Sequence, residues 1–145
     1  MIAIADTSGI LTLFNRSDPD HHAARKAADQ CGFLVMSPLA LTEVHRVATS
    51  RAGRGAADGI LRSLTERVRQ MRLVLAPPTP EILDAALTVR ARYASLDLDL
   101  VDAVNVALAA EYGTDAVLTK DLRDFRALRP TGGSFSCFRI LPDDL

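Results

Sequence analysis

Met1-Ile2-Ala3-Ile4-Ala5-Asp6-Thr7-Ser8 opens the chain and decides how the rest is read. Ile2 to Ala5 is apolar at every position, without the polar alternation of a strand that has one wet face, so it reads as a strand buried on both sides. Asp6 closes that strand, and Thr7 to Phe14 reads as a short helix.

The same grammar repeats outward. Asp18-Pro19 reads as an N-cap with proline at the first helical position, opening a helix through Gln30. Phe33 to Met36 is a second apolar strand, and Ser37-Pro38 opens a helix to about Ala52. A further helix covers Ala56 to Met71, followed by a short strand from Leu73 to Leu75. Thr79 caps a helix reaching Tyr93, and another runs from Asp99 or Leu100 to Tyr112, stopped by Gly113. Ala116 to Leu118 and Cys137 to Leu141 read as the last two strands. Short, uniformly apolar strands separated by helices predict an α/β fold with a parallel sheet covered on both faces. In such sheets ligands bind outside the carboxyl ends of the strands, which is where the chemistry is to be sought.

The bulk numbers agree. The 145 residues fit a single domain spanning 1–145, and 48% hydrophobic content argues against disorder. With aromatics at 5% and no Trp, the core must be built from Ala, Leu, Val and Ile. The net charge of −1 does not by itself mark a nucleic-acid binder, although all the basic residues except Lys26 and Lys120 are Arg, the better fork for phosphate. Met1 to Asp6 lacks a basic leader, and no apolar run approaches a membrane span, so a cytoplasmic protein is expected. Cys31 and Cys137 form no CxxC pair and are expected to be packing residues in a reducing compartment.

Acids stand where the sheet rule puts chemistry. Asp6 ends the first strand, and Asp121 follows the Ala116–Leu118 strand in Thr119-Lys120-Asp121-Leu122-Arg123-Asp124-Phe125. Glu43 has Leu39 and Val47 four residues to either side, and Asp102 has Leu98 and Val106, so each lies on an apolar stripe. An inward acid is costly unless paired or bound to metal. Asn105 lies one turn beyond Asp102 and shares its face. Carboxylates converging with few cations nearby call for a divalent ion, and hard oxygen ligands suit Mg²⁺ or Mn²⁺. Each acid also has a purely structural account. Asp6 and Asp121 can cap the helices that follow, Asp102 can serve the dipole of its own first turn, and Glu43 can sit on a rim. Asp99 and Asp124 read as caps or solvated acids, His21 and His22 as helix-surface positions, and His45 as a helix-surface or partly buried residue.

Other acid-bearing or nucleotide-binding classes fit less well. A haloacid-dehalogenase-type phosphotransferase wants a second acid two residues after the first, where Ser8 stands. A receiver domain needs an acceptor Asp near mid-chain, and positions 48 to 57 have none. No P-loop or GxGxxG occurs.

Four acidic motifs in order resemble those of the PIN-domain family, and within it the toxins of the VapC type. They are Asp6-Thr7-Ser8, then Ser37-Pro38 with Leu41-Thr42-Glu43-Val44, then Leu100-Val101-Asp102-Ala103, and finally Leu118-Thr119-Lys120-Asp121 with Asp124-Phe125. The resemblance covers nearly the whole chain. It implies a three-layer α/β/α fold with a five-stranded parallel sheet in the order 3-2-1-4-5. It implies RNA cleavage dependent on one or two Mg²⁺ or Mn²⁺ ions, a two-fold symmetric homodimer, and inhibition by a small cognate VapB-like antitoxin. Asp6, Glu43 and Asp102 match the family's metal-binding acids, and Asp121 matches the fourth, with Asp124 close enough to compete. Thr7, Ser8, Asn105 and Thr119 fall beside these acids as accessory positions. The antitoxin is expected to mask the acids with a segment carrying Arg or Lys, packed on helices 39–52 and 56–71. A nuclease of RNA processing and a non-catalytic RNA- or protein-binding module are the alternatives.

Overall fold

A computed structural model describes residues 1–145. Five strands, β1 (Ile2–Ala5), β2 (Phe33–Met36), β3 (Leu73–Leu75), β4 (Ala116–Leu118) and β5 (Arg139–Leu141), form one sheet in the order β3-β2-β1-β4-β5. Every pairing is parallel, with β1 in the centre and Ala5 in register with Leu118. The expected strand order is therefore the observed one.

Seven helices cover it: α1 (Thr7–Phe14), α2 (His21–Gln30), α3 (Pro38–Ala52), α4 (Arg54–Arg69), α5 (Pro80–Arg92), α6 (Leu100–Glu111) and α7 (Leu122–Ala127). The pleat explains the three layers. Ala3 and Ala5 face one way and pack with Ile10, Leu13, Val44 and Leu64 of α1, α3 and α4. Ile4 faces the other way and packs with Ala86, Val89, Val104 and Leu108 of α5 and α6. Small side chains on β1 let α1 lie close to the sheet, and Gly9 completes that approach, since a Cβ there would collide with the Leu118 carbonyl.

Three local expectations are corrected. The second helix starts at His21, not at Pro19. Asp18 instead folds a turn by accepting from the Asp20 amide at 2.8 Å, and its carboxylate takes the Lys120 ammonium at 3.0 Å. His21 is buried rather than on the surface, its Nδ1 lying 3.0 Å from the Thr12 carbonyl oxygen. Cys31 is a packing residue, but Cys137 is exposed, because β5 begins only at Arg139. The helix expected after Asp121 is the six-residue α7, while the 3-10 turn at Ala94–Leu96 was not anticipated as an element.

Candidate active site

The acids meet at the carboxyl edge of the sheet, and each arrives by a local rule. Asp6 is delivered by the end of central strand β1, anchored by its own amide donating to the Leu118 carbonyl at 3.0 Å. It stands at the N-cap position of α1, yet its side chain makes no capping hydrogen bond, so capping does not explain it. Instead the Thr119 hydroxyl donates to Oδ2 at 2.8 Å and the Asn105 amide donates to Oδ1 at 3.1 Å. Asp6, Asn105 and Thr119 are all buried.

Thr119 is the hub of a relay. Its single proton goes to Asp6, so the 3.0 Å contact with Ser8 is donated by the Ser8 hydroxyl. The Lys120 amide donates to Ser8 Oγ at 2.9 Å, and the Asp121 amide donates to Thr119 Oγ1 at 2.9 Å. The chain from backbone through Ser8 and Thr119 fixes the rotamer of Asp6 from behind.

Asp102 lies in the first turn of α6, whose N-terminus is capped by Asp99 accepting from the Asp102 amide at 2.9 Å. Asp121 caps α7 with one oxygen, accepting from the Asp124 amide at 3.1 Å, which leaves its second oxygen uncommitted by that bond. This residue both caps a helix and lines the same cleft as Asp6. Glu43 projects from the face of α3 that also carries Val47, beside the buried Val44.

Asp6, Glu43, Asp102 and Asp121 line one open cleft of about 290 Å³, together with Thr7, Ser8 and Asp99. The tightest convergence is Asp102, Asp121 and Asp124, each able to offer a carboxylate oxygen within 4.8 Å of the others. Asp124 thus joins the cluster from its outer side, while Asp6 and Glu43 form other walls of the cleft. Asp99, read from sequence as a cap or solvated acid, both caps α6 and lines the cleft.

Electrostatics expose the cost of this arrangement. Burial raises the Asp6 carboxyl to about 6, against the hydrogen bonds from Thr119 and the Thr7 backbone that lower it, with Asp121 and Glu43 adding like charge. Burial raises Asp102 further, to about 8, helped by the charges of Asp6, Asp99, Asp121 and Asp124. Asp124 is raised by burial and by Asp121. None of the protein's ion pairs involves Asp6, Glu43, Asp102, Asp121 or Asp124.

The donor set fits a hard divalent cation. It is all oxygen, with no Cys or His among the residues lining the cleft. Two further oxygens beside Asp6, Thr7 Oγ1 and Asn105 Oδ1, are buried without a hydrogen-bond partner. Buried unpaired polar atoms are rare and ask for a reason.

Fold and cleft together define a known class. Residues 3–129 match the PIN domain, and the chain belongs to that family. Over 140 residues it is 34% identical to Ribonuclease VapC26 of Mycobacterium tuberculosis, an alignment spanning 96% of this chain and 99% of that protein. Among solved structures, VapC20 of Mycobacterium tuberculosis, a sarcin-ricin loop cleaving toxin, superposes with a TM-score of 0.70 at 21% identity, covering 83% of this chain and 90% of that one. VapBC2 of Rickettsia felis, bound to a DNA fragment from its promoter, gives a TM-score of 0.64 at 12% identity, covering 88% and 93%. At those identities the two structures speak for the fold. No helix is long and apolar enough to cross a membrane.

Proposed function

We propose that this protein is a metal-dependent endoribonuclease acting as the toxin of a VapBC-type toxin–antitoxin pair. Asp6, Glu43, Asp102 and Asp121 are its metal-binding and catalytic acids, and Asp124 is an accessory acid. The observation that carries this reading is the convergence of unpaired carboxylates in one cleft at the carboxyl edge of the sheet. The similarity to Ribonuclease VapC26, nearly end to end, supports the RNA substrate and the toxin role.

One or two Mg²⁺ or Mn²⁺ ions, when bound, lower the pKa of water and neutralise charge developing on a phosphodiester. The chain's own residues do the rest. Thr119 and Asn105 hold Asp6 in one rotamer, so its carboxylate is oriented before any ligand arrives. Asp121 is held by its cap on α7, and Asp102 by the start of α6. Thr7 and Ser8 flank Asp6 in the lining of the cleft: the Ser8 hydroxyl is spent on Thr119 and steadies Asp6 through it, and the unpartnered Thr7 Oγ1 is the one left to orient water or phosphate.

The whole chain, residues 1–145, acts as one domain in the cytoplasm, as a homodimer, under control of a small cognate antitoxin. Support for the antitoxin comes from an apolar groove of about 360 Å³, lined by Phe14, Ala48, Ala52 and Ile60, which adjoins the acidic cleft. A helix or extended segment laid there brings an Arg or Lys within reach of the acids, where a guanidinium binds carboxylates bidentately.

The test has two arms. Purified protein should cleave total RNA with Mg²⁺ or Mn²⁺ and stop with EDTA. Induced expression should arrest growth of the native host, relieved by the neighbouring small gene. Soluble protein that leaves both RNA and growth untouched would overturn the proposal in favour of a non-catalytic module. Cleavage without arrest would point to RNA processing.

A further inference from the structure

The acidic cleft repels the polyanion it is proposed to cut, so something must draw the strand in. Metal neutralises the acids themselves but offers nothing to the phosphates on either side. Arg51 is the single basic residue lining that cleft. It belongs to the last turn of α3 and is spaced so that Glu43, Val47 and Arg51 fall four residues apart along one stripe, all three facing the cleft. Eight residues of helix separate Glu43 from Arg51 by about 12 Å, and helical side chains lean toward the helix N-terminus, the direction in which Glu43 lies.

Arg51 also lines the neighbouring polar cleft of about 270 Å³, with Ser8, Asn15 and Lys120. The other cation there is already committed, since Lys120 Nζ is 3.0 Å from Asp18 and 3.4 Å from Asp20. Arg51 itself is exposed and makes no ion pair. An unpaired guanidinium at the junction of the acidic cleft and a second, polar cleft is suited to a phosphate that leaves one for the other.

We propose that Arg51 is a positioning residue for the RNA strand, holding a phosphate that flanks the cleaved one as the chain passes from the acidic cleft into the polar one. This rests on the nuclease reading above. The competing account is that a last-turn arginine merely complements the α3 dipole. That role would change stability, not the affinity for RNA or its salt dependence.

The experiment compares wild type, Arg51→Gln, Arg51→Lys and, as an equal change of charge on the same helix outside the cleft, Arg46→Gln. Steady-state cleavage of a single-stranded RNA oligonucleotide with Mn²⁺ is measured across a salt series, and fluorescence anisotropy gives the Kd for the same RNA. Arg51→Gln should raise KM and Kd roughly tenfold, with the loss falling on KM rather than kcat. The slope of log affinity against log salt should shrink by about 0.7, the value of one single-strand phosphate contact. Arg51→Lys should recover most of the loss, and Arg46→Gln should match wild type. Wild-type KM and slope in Arg51→Gln, or equal losses in Arg46→Gln, would overturn the assignment. Should the wild type bind RNA without cutting it, the nuclease reading fails, while the ratio of Kd values still decides Arg51. A wild type that does not bind RNA overturns both.

Discussion

The two ends of strand β4 hold carboxylates in opposite circumstances. At the amino end, Asp115 meets Arg139 from the start of β5, with Arg139 Nε and Nη2 both donating at 2.9 to 3.3 Å. Beyond the carboxyl end, Asp121 meets Asp102 and Asp124 and no cation at all. A few residues apart, the same side-chain type is neutralised by a fork in one place and stacked against its own charge in the other. Structural acids in this protein have partners: Asp144 has Arg126, Asp58 has His45, and Asp18 has Lys120. Asp29, Glu81, Asp84, Asp97, Glu111 and Asp143 have no cation either but are exposed, whereas the acids that are shielded from solvent and still unpaired are gathered at one cleft. The contrast separates acids neutralised within the fold from acids that the proposed function assigns to a metal ion.

Removing the charge of the most buried acid of the cleft should break the contrast most severely. Asp6→Asn keeps the shape of a residue already held by Thr119 and Asn105 but removes its charge. Cleavage of RNA should fall by roughly 10³-fold, the loss of several kcal/mol of transition-state stabilisation, while the circular dichroism spectrum stays unchanged. Wild-type activity in this variant would show that the cleft is not the active site.

The second effect is on stability, and its sign follows from burial. The folded Asp102 carboxyl, at about 8, lies above its ordinary 3.8, so between those values the folded state holds a proton that the unfolded state has lost. The stabilisation is complete below the unfolded value and is lost as pH rises through the folded one. In EDTA, Tm should therefore drop between about pH 5 and 8. Saturating Mn²⁺ should restore on the order of 5–10 °C at the upper end. Asp102→Asn should flatten the pH dependence and shrink the Mn²⁺ shift. Melting curves indifferent to both pH and metal would place the acids among the structural ones.

A finer division runs inside the cluster. Asp121 lines the cleft, whereas Asp124 reaches the cluster from the first turn of α7. Asn variants should differ by about tenfold in kcat/KM, close to 1.4 kcal/mol, with the larger loss at Asp121. The reverse order in an RNA cleavage assay would reassign the fourth acid.

The smallest effect is expected at the other end of β4. Asp115→Asn should leave cleavage within about twofold and cost less than about 1 kcal/mol in urea denaturation, because half-exposed ion pairs are worth little. A large loss of activity there would erase the distinction between the two ends.

Much of this layout was legible in sequence, for reasons of period. Asp6 and Asp121 follow apolar strands, and a parallel sheet puts such residues at its carboxyl edge. Glu43 and Asp102 interrupt apolar stripes at helical spacing. What escaped was anything settled by distant partners. Asp18-Pro19 has the local form of a helix start, but Lys120, 102 residues away, claims the Asp18 carboxylate. Adjacent His21 and His22 must face differently, yet only the packing of α1 on α2 decides that His21 goes inward. The double duty of Asp99 was hidden for the same reason, since capping is local and lining a cleft is not.

The bond from Thr119 to Asp6 spans 113 residues of chain. During synthesis Asp6 emerges early, but the hydroxyl that orients it, and the acids Asp121 and Asp124, are among the last side chains made. At roughly 5–20 residues per second, on the order of ten seconds passes between the two. The incomplete chain carries half a site, and β1 lacks β4, its neighbour on that side of the sheet. Under the nuclease reading, a polypeptide still being made on RNA therefore has no assembled cleft with which to cut it. With the central strand made first and its partner last, the cleft is assembled only when the chain is nearly complete.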